Sequence, residues 1–258
     1  MKKMVFQIQP QYALREQWSA LAEREGLLYE SIEFFMPHVL ADPALAKTAE
    51  TWYLESGRVR ALHGAFIDVN PASNDPQVRS VSQSRCLESC ALARKLGATH
   101  LVLHSSCFPI LRGAYLDNWS TQCAAFYTKL AREYDLMICV ENSQDVDPTP
   151  LQALMSHVTD ERVRVCLDIG HANCSDSPLE EWFDRLGPYI AYLHLSDNMG
   201  KFDDHLPLGS GTVNWNAAHS LWCQLDRTMP ATLEVGGIKG VEESLAYLGK
   251  NGYFGWGA

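Results

Sequence analysis

A potential metal ligand or acid/base group closes seven of the eight apolar runs that have the length of a β-strand. These residues are Glu33, His63, His104, Glu141, Asp168, His194 and Glu234. A single polar residue at the end of a strand usually satisfies the backbone of the following loop. A series of them at the same end of consecutive strands instead indicates a shared site. Because converging carboxylates repel one another and are costly to bury, the series predicts a bound divalent cation.

The loops after two of these runs contain further residues of the same kind. His171 follows Asp168 by three positions, and Asp203 and His205 stand two apart in the loop after His194. On an extended segment, residues two apart lie on the same side and can hold one cation together. We predict no role for the remaining histidines. They are His38, His100, His157 and His219.

The elements that must position these residues alternate regularly along the chain. The predicted strands are 4–8, 27–34, 58–63, 99–104, 136–141, 163–168, 189–194 and 231–235. The predicted helices are 13–25, 43–55, 76–96, 118–134, 149–157, 178–186, 214–226 and 240–249. This alternation is typical of a parallel α/β fold. Eight strand–helix units in 258 residues give about 32 residues each, which favours a single (β/α)8 TIM barrel.

An open doubly wound sheet is the rival fold. It would place a glycine-rich phosphate loop after the first strand, whereas the residues there are QIQPQYAL. The GSG at 209–211 follows no strand directly and lacks the remaining spacing of such a loop. No Ser/Gly linker, charge block or break in composition divides the chain. We therefore predict that residues 1–258 form one TIM-barrel domain.

The composition narrows the class of protein. The chain carries 21 Lys and Arg against 31 Asp and Glu, a formal net charge of −10, and 47% hydrophobic residues, values that exclude disordered and collagen-like chains. Its eight cysteines form no C-x-x-C pair and several stand in apolar runs, which predicts reduced, buried thiols. The N-terminal apolar stretch is shorter than a signal peptide or a membrane span. We therefore expect a cytoplasmic protein with no membrane partner.

Six segments resemble one known superfamily. They are LHGAFIDVN (62–70), LVLHSS (101–106), CVEN (139–142), CLDIGHAN (166–173), HLSDNMGKFDDHLPLGSG (194–211) and TLEVGG (232–237). They resemble the xylose-isomerase-like TIM-barrel superfamily, which includes sugar isomerases, epimerases such as the tagatose 3-epimerases, inosose dehydratases and the DNA-repair enzyme endonuclease IV. The resemblance covers essentially the whole chain and does not single out one member. A homodimer is an expectation based on the family alone.

The resemblance to the sugar-isomerase members implies one divalent cation, which would be zinc, manganese, magnesium or cobalt. The residues that match its ligands are Glu141, Asp168, His194 and Glu234. In the epimerases the two glutamates also exchange protons with the substrate, and the histidine that matches His171 binds a substrate oxygen. A basic residue after the strand-seven histidine often contacts the substrate as well. Lys201 is the nearest candidate for it in this chain.

The resemblance to endonuclease IV implies a larger set of nine ligands for up to three zinc ions. The matching residues are His63, His104, Glu141, Asp168, His171, His194, Asp203, His205 and Glu234. In a sugar isomerase, the five that do not hold the single cation would be substrate ligands or a second metal site. An enzyme of DNA gains most of its affinity by neutralising phosphates with Lys and Arg. This chain is acidic, and it contains no basic run longer than Arg94-Lys95.

We therefore predict a metal-dependent isomerase or epimerase of a sugar or sugar phosphate, or a related dehydratase. The cation would stabilise an enediolate, and Glu141 and Glu234 would transfer the proton. Phe66, Phe108 and Trp215 either cover the sugar, with Phe66 as a substrate-binding candidate, or pack in the interior. The alternative function is that of a zinc phosphodiesterase acting on abasic DNA. A third hypothesis is a barrel that binds a sugar without turnover.

Overall fold

The computed structural model describes residues 3–110 and 112–257 and closes eight parallel strands into a barrel. The strands are β1 Val5–Ile8, β2 Leu28–Ser31, β3 Val59–His63, β4 His100–His104, β5 Met137–Glu141, β6 Val163–Asp168, β7 Ile190–Leu195 and β8 Pro230–Leu233. Each strand pairs with the next in the sequence, and β8 pairs with β1. The prediction of a (β/α)8 TIM barrel is confirmed, and the open sheet is excluded.

Helices cover the outside of the barrel and connect its strands. They are α1 Arg15–Glu25, α2 Pro37–Leu40, α3 Pro43–Ser56, α4 Pro76–Leu96, α5 Ala114–Tyr134, α6 Thr149–His157, α7 Ile169–Asn173, α8 Leu179–Leu186, α9 Trp215–Gln224 and α10 Gly237–Asn251. The side chain of Asp75 caps the N-terminus of α4, and that of Asn214 caps the N-terminus of α9. Both accept hydrogen bonds from backbone N–H groups of the first helical turn, as expected for these residue types. The short helices α2 and α7 were not predicted. No helix among the described residues is long and apolar enough to cross a membrane.

Two apolar layers hold the barrel together. The larger one lies between strands and helices and contains five buried tryptophans: Trp18, Trp119, Trp182, Trp215 and Trp222. A smaller one inside the barrel consists of Ala61, Val102, Cys139, Cys166 and Tyr192. Because side chains alternate along a strand, the residue two positions later also points inward. These later residues are His63, His104, Glu141, Asp168 and His194. The barrel therefore directs all five towards one mouth.

The cysteines contribute to these layers as thiols. All eight are free, and six of them are buried. The prediction of reduced cysteines is confirmed, although Cys174 is only partly buried and Cys223 is exposed.

The prediction that strand two ends at Glu33 is wrong. β2 stops at Ser31, and Glu33 begins a single 3-10 turn in which its carboxylate accepts the backbone N–H of Tyr12 at 2.9 Å. The apolar run continues to Phe35 and conceals the end of the strand, because Phe34 and Phe35 are buried in the 3-10 turn after β2 rather than in the sheet.

The end of the last strand also differs slightly from the prediction. β8 stops at Leu233, one residue before Glu234, although the N–H of Glu234 still donates to the carbonyl of Leu195 at 3.0 Å. This bond to β7 keeps Glu234 in line with the strand end.

A buried carboxylate anchors the long connection between β7 and α9. Asp197 accepts hydrogen bonds from the N–H groups of Gly209 at 2.9 Å and Val213 at 3.1 Å and from the indole N–H of Trp215 at 2.9 Å. Its backbone also forms an antiparallel bridge with Leu206. The segment that carries the D-x-H pair is therefore held at both ends. Trp215 is buried by this contact, so the hypothesis that it covers a sugar is wrong.

Replacing Asp197 by Ala should destabilise the fold by about 3 kcal/mol, because these three donors and the N–H of Asn198 lose a buried charged acceptor. Trp215→Phe removes one of these bonds and should cost about 1 kcal/mol. The matched control is Asp204→Ala in the same loop, where the side chain is exposed, and it should change stability by less than about 0.5 kcal/mol. Urea denaturation measures all three. Equal stabilities for Asp197→Ala and Asp204→Ala would contradict the anchoring role.

Candidate metal centre

Three carboxylates and one imidazole meet at the mouth of the barrel. Glu141, Asp168 and His194 come from β5, β6 and β7, and Glu234 directly follows β8. All four are buried, and one potential ligand atom from each lies within 4.8 Å of the others. Oxygen donors together with an imidazole nitrogen form a donor set that suits divalent cations.

Nδ1 of His194 lies at the centre of this group. It is 3.0 Å from Glu141 Oε1, 2.8 Å from Glu234 Oε2 and 3.9 Å from Asp168 Oδ2. Oε2 of Glu141 and Oε2 of Glu234 are buried and accept no hydrogen bond of normal geometry. Buried carboxylate oxygens without partners are costly. The residues present therefore fit a cation, which would satisfy both oxygens.

The electrostatics of the group also favour positive charge. Burial would raise the pKa of Glu234, but the charge of His194 lowers it to about 2. Burial also opposes ionisation of Glu141, but His194 and His104 outweigh it and hold the pKa of Glu141 well below its usual range. Burial raises the pKa of Asp168 to about 6, and its carboxylate neighbours add to the effect. Burial alone would lower the pKa of His194, but the surrounding carboxylates raise it well above its usual value.

A second group shares Glu141 with the first. His63 Nε2 and His104 Nε2 lie 3.2 and 3.5 Å from Glu141 Oε2, and these three residues could also hold a metal ion. Nδ1 of His63 is directed to the carbonyl oxygen of Gly64 at 3.1 Å, so Nε2 faces the carboxylate. Burial lowers the pKa of His104 to about 4, which favours the neutral imidazole that binds metals. The ring of Phe66 packs against both imidazoles, with centroid distances of 5.0 and 5.3 Å.

The D-x-H pair joins the same network from the β7 loop. Asp203 Oδ2 lies 3.1 Å from His171 Nε2 and 2.7 Å from His205 Nε2. His171 Nδ1 is 3.6 Å from Glu141 Oε1, which connects the pair to the centre. Although burial opposes it, the bond to Asp203 raises the pKa of His205 to about 9. All nine residues proposed from the sequence are therefore brought together.

Lys201 lies apart from this network. It is exposed near the tip of the same loop, with Nζ 5.2 Å from the ring centroid of Phe202.

Two residues of the centre were missed by the sequence reasoning. Gln9, just after β1, donates from Nε2 to Glu234 Oε1 at 3.1 Å. Glu30 of β2 is fully buried, with Oε2 3.0 Å from His194 Nε2. Both lie on the inward side of their strands, so a period-two pattern could have found them. The prediction used only the last residue of each predicted strand and therefore missed both residues.

Two cavities of about 410 Å³ each flank the centre. The first is lined by residues that include Gln9, Trp18, Glu33, His38, His205 and Glu234. The second is lined by residues that include Phe66, Asp68, His104, Ser106, Phe108 and Gln144. Their size is in the range of small-molecule sites. Among the described residues that line them, none is Lys or Arg.

Three of the five non-glycine residues with positive φ angles in the described part of the chain line these cavities. Asp68, Ser106 and His205 have φ angles of 56°, 51° and 48°, in the left-handed region that residues other than glycine rarely adopt. Strain of this kind tends to occur at functional sites.

A sequence model of the xylose isomerase-like TIM barrel family matches residues 20–251. The chain belongs to this family. Among curated relatives, the uncharacterized protein MJ1311 of Methanocaldococcus jannaschii is 28% identical over 167 residues, which cover 60% of this chain and 56% of the relative. The chain covers between 56% and 62% of the length of the curated relatives that it matches.

Solved structures of this xylose isomerase-like type superpose on nearly the whole chain. A D-tagatose 3-epimerase-like protein has a TM-score of 0.76 and 21% identity, covering 97% of this chain and 96% of its own. The TTHB071 protein of Thermus thermophilus, soaked with ZnCl2, has a TM-score of 0.76 and 25% identity, covering 96% and 97%. The IolI protein with a bound zinc atom has a TM-score of 0.73 and 16% identity, covering 97% of both chains.

In this xylose isomerase-like barrel, Asp145 ties together the segments that follow β4 and β5. It is buried, and Oδ2 accepts hydrogen bonds from Ser105 Oγ at 2.6 Å and from the N–H of Ser143 at 3.2 Å. Oδ1 has no hydrogen-bond partner. Burial raises the pKa of this carboxyl to about 6. Asp145 thus supports the positions of His104 and Glu141 at some cost in stability near neutral pH.

The stability difference between Asp145→Asn and the wild type should depend on pH. Between about pH 4 and 6 the folded protein binds this proton and the unfolded chain does not, so the contribution of Asp145 to stability falls as the pH rises. The variant should gain about 3 kcal/mol relative to the wild type between about pH 4 and pH 7.5. Urea denaturation at several pH values measures this.

Asp147→Asn is the matched control with the opposite sign. Burial of Asp147 is outweighed by hydrogen bonds from Thr149 and Arg112, which lower the pKa of this carboxyl. This variant should lose stability relative to the wild type as the pH rises towards about 4, where the folded protein has already released a proton that the unfolded chain still binds. A pH-independent difference for Asp145→Asn would contradict the role given to its burial.

Proposed function

We propose that this protein is a divalent-metal-dependent isomerase or epimerase of a sugar or sugar phosphate. The observation that carries the proposal is the pair Glu141 and Glu234, whose carboxylates both face Nδ1 of His194, at 3.0 and 2.8 Å. Glu234 also lines the first cavity. Two carboxylates on either side of one position can remove a proton from a substrate carbon and return it. The similarity to a D-tagatose 3-epimerase-like protein supports this reaction class.

In this proposal Glu141, Asp168, His194 and Glu234 hold the cation, which would be zinc, manganese, magnesium or cobalt. The buried oxygens of the two glutamates that accept no hydrogen bond of normal geometry support it. The zinc atom bound to the IolI protein and the ZnCl2 soak of TTHB071 support it as well. When bound, a divalent cation supplies Lewis acidity that polarises a carbonyl and the neighbouring hydroxyl.

The remaining roles are assigned to side chains of this chain. Gln9 donates to Oε1 of Glu234 and so fixes the orientation of this carboxylate. His171 is fixed by the carbonyl oxygen of Asn142, 2.7 Å from Nδ1, and would bind a substrate oxygen. Phe66 would form an apolar wall beside the sugar. Lys201, exposed in the loop after β7, is also proposed as a substrate contact.

The cavities favour an uncharged sugar over a sugar phosphate. A phosphate is usually recognised by Arg, Lys or a cluster of backbone N–H groups. Neither cavity is lined by Lys or Arg among the residues that the structure describes. The same observation weighs against a DNA substrate, which would need many such contacts.

Proton–deuterium exchange tests the reaction directly. In heavy water with Mn²⁺, the wild type should exchange the proton on the carbon next to the carbonyl of a ketose. Glu141→Gln and Glu234→Gln should each lower the exchange rate by about 10²–10⁴-fold, the usual contribution of a general acid or base. The matched control is Glu55→Gln on the exposed surface of α3, which should exchange at the wild-type rate. NMR integration over a panel of ketoses measures the rates, and the absence of exchange from all of them would refute the proposal.

A phosphodiesterase acting on abasic DNA is the second candidate function. The observation that favours it is the second group, in which His63 and His104 face Oε2 of Glu141. The D-x-H pair and His171 would complete a site for more than one ion. Several zinc ions side by side are typical of hydrolysis at phosphorus.

The number of bound ions distinguishes the two functions. We expect one tightly bound ion per chain, measured by elemental analysis after dialysis and by an anomalous difference map. Three zinc ions about 3.5–4 Å apart, together with cleavage of an oligonucleotide that contains an abasic site, would favour the phosphodiesterase instead.

A further inference from the structure

We propose that Glu30 is a positioning residue that determines which nitrogen of His194 faces the cation. This inference rests on the metal site of the proposed function and not on the identity of the substrate. Glu30 lies on β2, opposite β7 across the barrel interior, and is fully buried. It lies on the side of His194 away from the other carboxylates.

The geometry fixes the orientation of the imidazole. Both carboxylate oxygens of Glu30 lie near His194 Nε2, at 3.2 and 3.0 Å. A carboxylate accepts hydrogen bonds and does not donate them, so Nε2–H donates to Glu30. Nδ1 faces Glu141 and Glu234 on the other side of the ring and is the nitrogen that a cation held by these carboxylates would use. Histidines that bind metals commonly donate the other ring N–H to a carboxylate in this way.

Glu30 is itself fixed by two hydroxyl groups. Tyr192 donates to Oε2 at 3.2 Å, and Thr232 donates a short hydrogen bond to the same oxygen. The two hydroxyls also contact each other at 2.8 Å. Tyr192 and Thr232 stand two residues before His194 and Glu234 on β7 and β8. The positioning group therefore lies one layer below the candidate ligands.

The neighbouring residues of that layer show that the charge is not needed for packing. In β3 to β6 the equivalent inward positions hold apolar or weakly polar side chains. These are Ala61, Val102, Cys139 and Cys166. A buried carboxylate is costly unless it is paired. Glu30 is paired with the Nε2–H group of His194. A purely structural role would be filled at lower cost by an apolar residue.

Glu30→Gln tests the charge while keeping the shape. The amide oxygen can still accept from His194 Nε2–H, and the amide nitrogen can donate to the hydroxyl oxygens of Tyr192 and Thr232. We expect the affinity for Mn²⁺ to fall by about 10–100-fold, the usual effect of losing such a partner of a ligand. Glu30→Leu should lower it further, because Nε2–H then has no acceptor. Titration calorimetry on the metal-free full chain measures the affinities.

The tautomer of His194 gives a readout that does not depend on activity. In ¹⁵N NMR spectra of the Zn²⁺-bound protein, the wild type should show His194 with the proton on Nε2, because Nδ1 then faces the cation. In Glu30→Leu the ring should populate both tautomers. The matched controls are Glu33→Gln, which removes another buried glutamate after the same strand, and Tyr192→Phe, which leaves the contact between Glu30 and His194. Both should keep the tautomer, with a change in Mn²⁺ affinity well below the roughly tenfold loss expected for a ligand's partner.

The outcomes separate this inference from the metal site on which it rests. If the wild type binds no divalent cation, the proposed metal function fails. If the wild type binds Mn²⁺ and Glu30→Gln binds it equally well with an unchanged tautomer, the positioning role is overturned. If Glu30→Leu does not fold, the Mn²⁺ affinities of Glu30→Gln and Glu30→Asp still test the positioning role. Asp keeps the charge, so Glu30→Asp should bind Mn²⁺ more tightly than Glu30→Gln.

Discussion

The burial of several ionisable groups at one end of the barrel is the constraint on which the rest of the structure depends. Glu141, Asp168, Glu234 and His194 have almost no contact with solvent, and such charges persist in a protein interior only when they are paired. The imidazole of His194 pairs with Glu141 and Glu234. The glutamate oxygens that accept no hydrogen bond leave the rest of the pairing to a cation.

Rigid elements hold these groups close together against their mutual repulsion. The strands are paired around a closed barrel, so their ends cannot separate. Asn142 connects the ends of β5 and β6. Its side-chain oxygen accepts from the N–H of Asp168 at 2.8 Å, and its side-chain nitrogen donates to the carbonyl oxygen of Asp168 at 3.0 Å. Asp145 and Asp197 anchor the loops on either side. This support limits the room for rearrangement, as a preorganised site requires.

The family hosts different chemistries on one barrel, so the fold alone does not select a reaction. In this chain the reaction depends on the residues at the mouth of the barrel. Its acidic residues fit a cation, while the two flanking cavities have no Lys or Arg among their described lining residues. The small uncharged substrate that we propose matches this combination better than a polyanion does.

The sequence by itself determined the barrel and the residues at its mouth, because both follow from local periodicity. Alternating runs specify strands and helices, and the inward position at each strand end carries a polar side chain. Only the tertiary structure decided that Glu30 contacts His194, that Gln9 donates to Glu234, and that Trp215 anchors a loop instead of covering a ligand. These contacts join residues far apart in the chain; Glu30 and His194 are 164 positions apart. No local pattern encodes such a pair, since it arises only when the barrel closes.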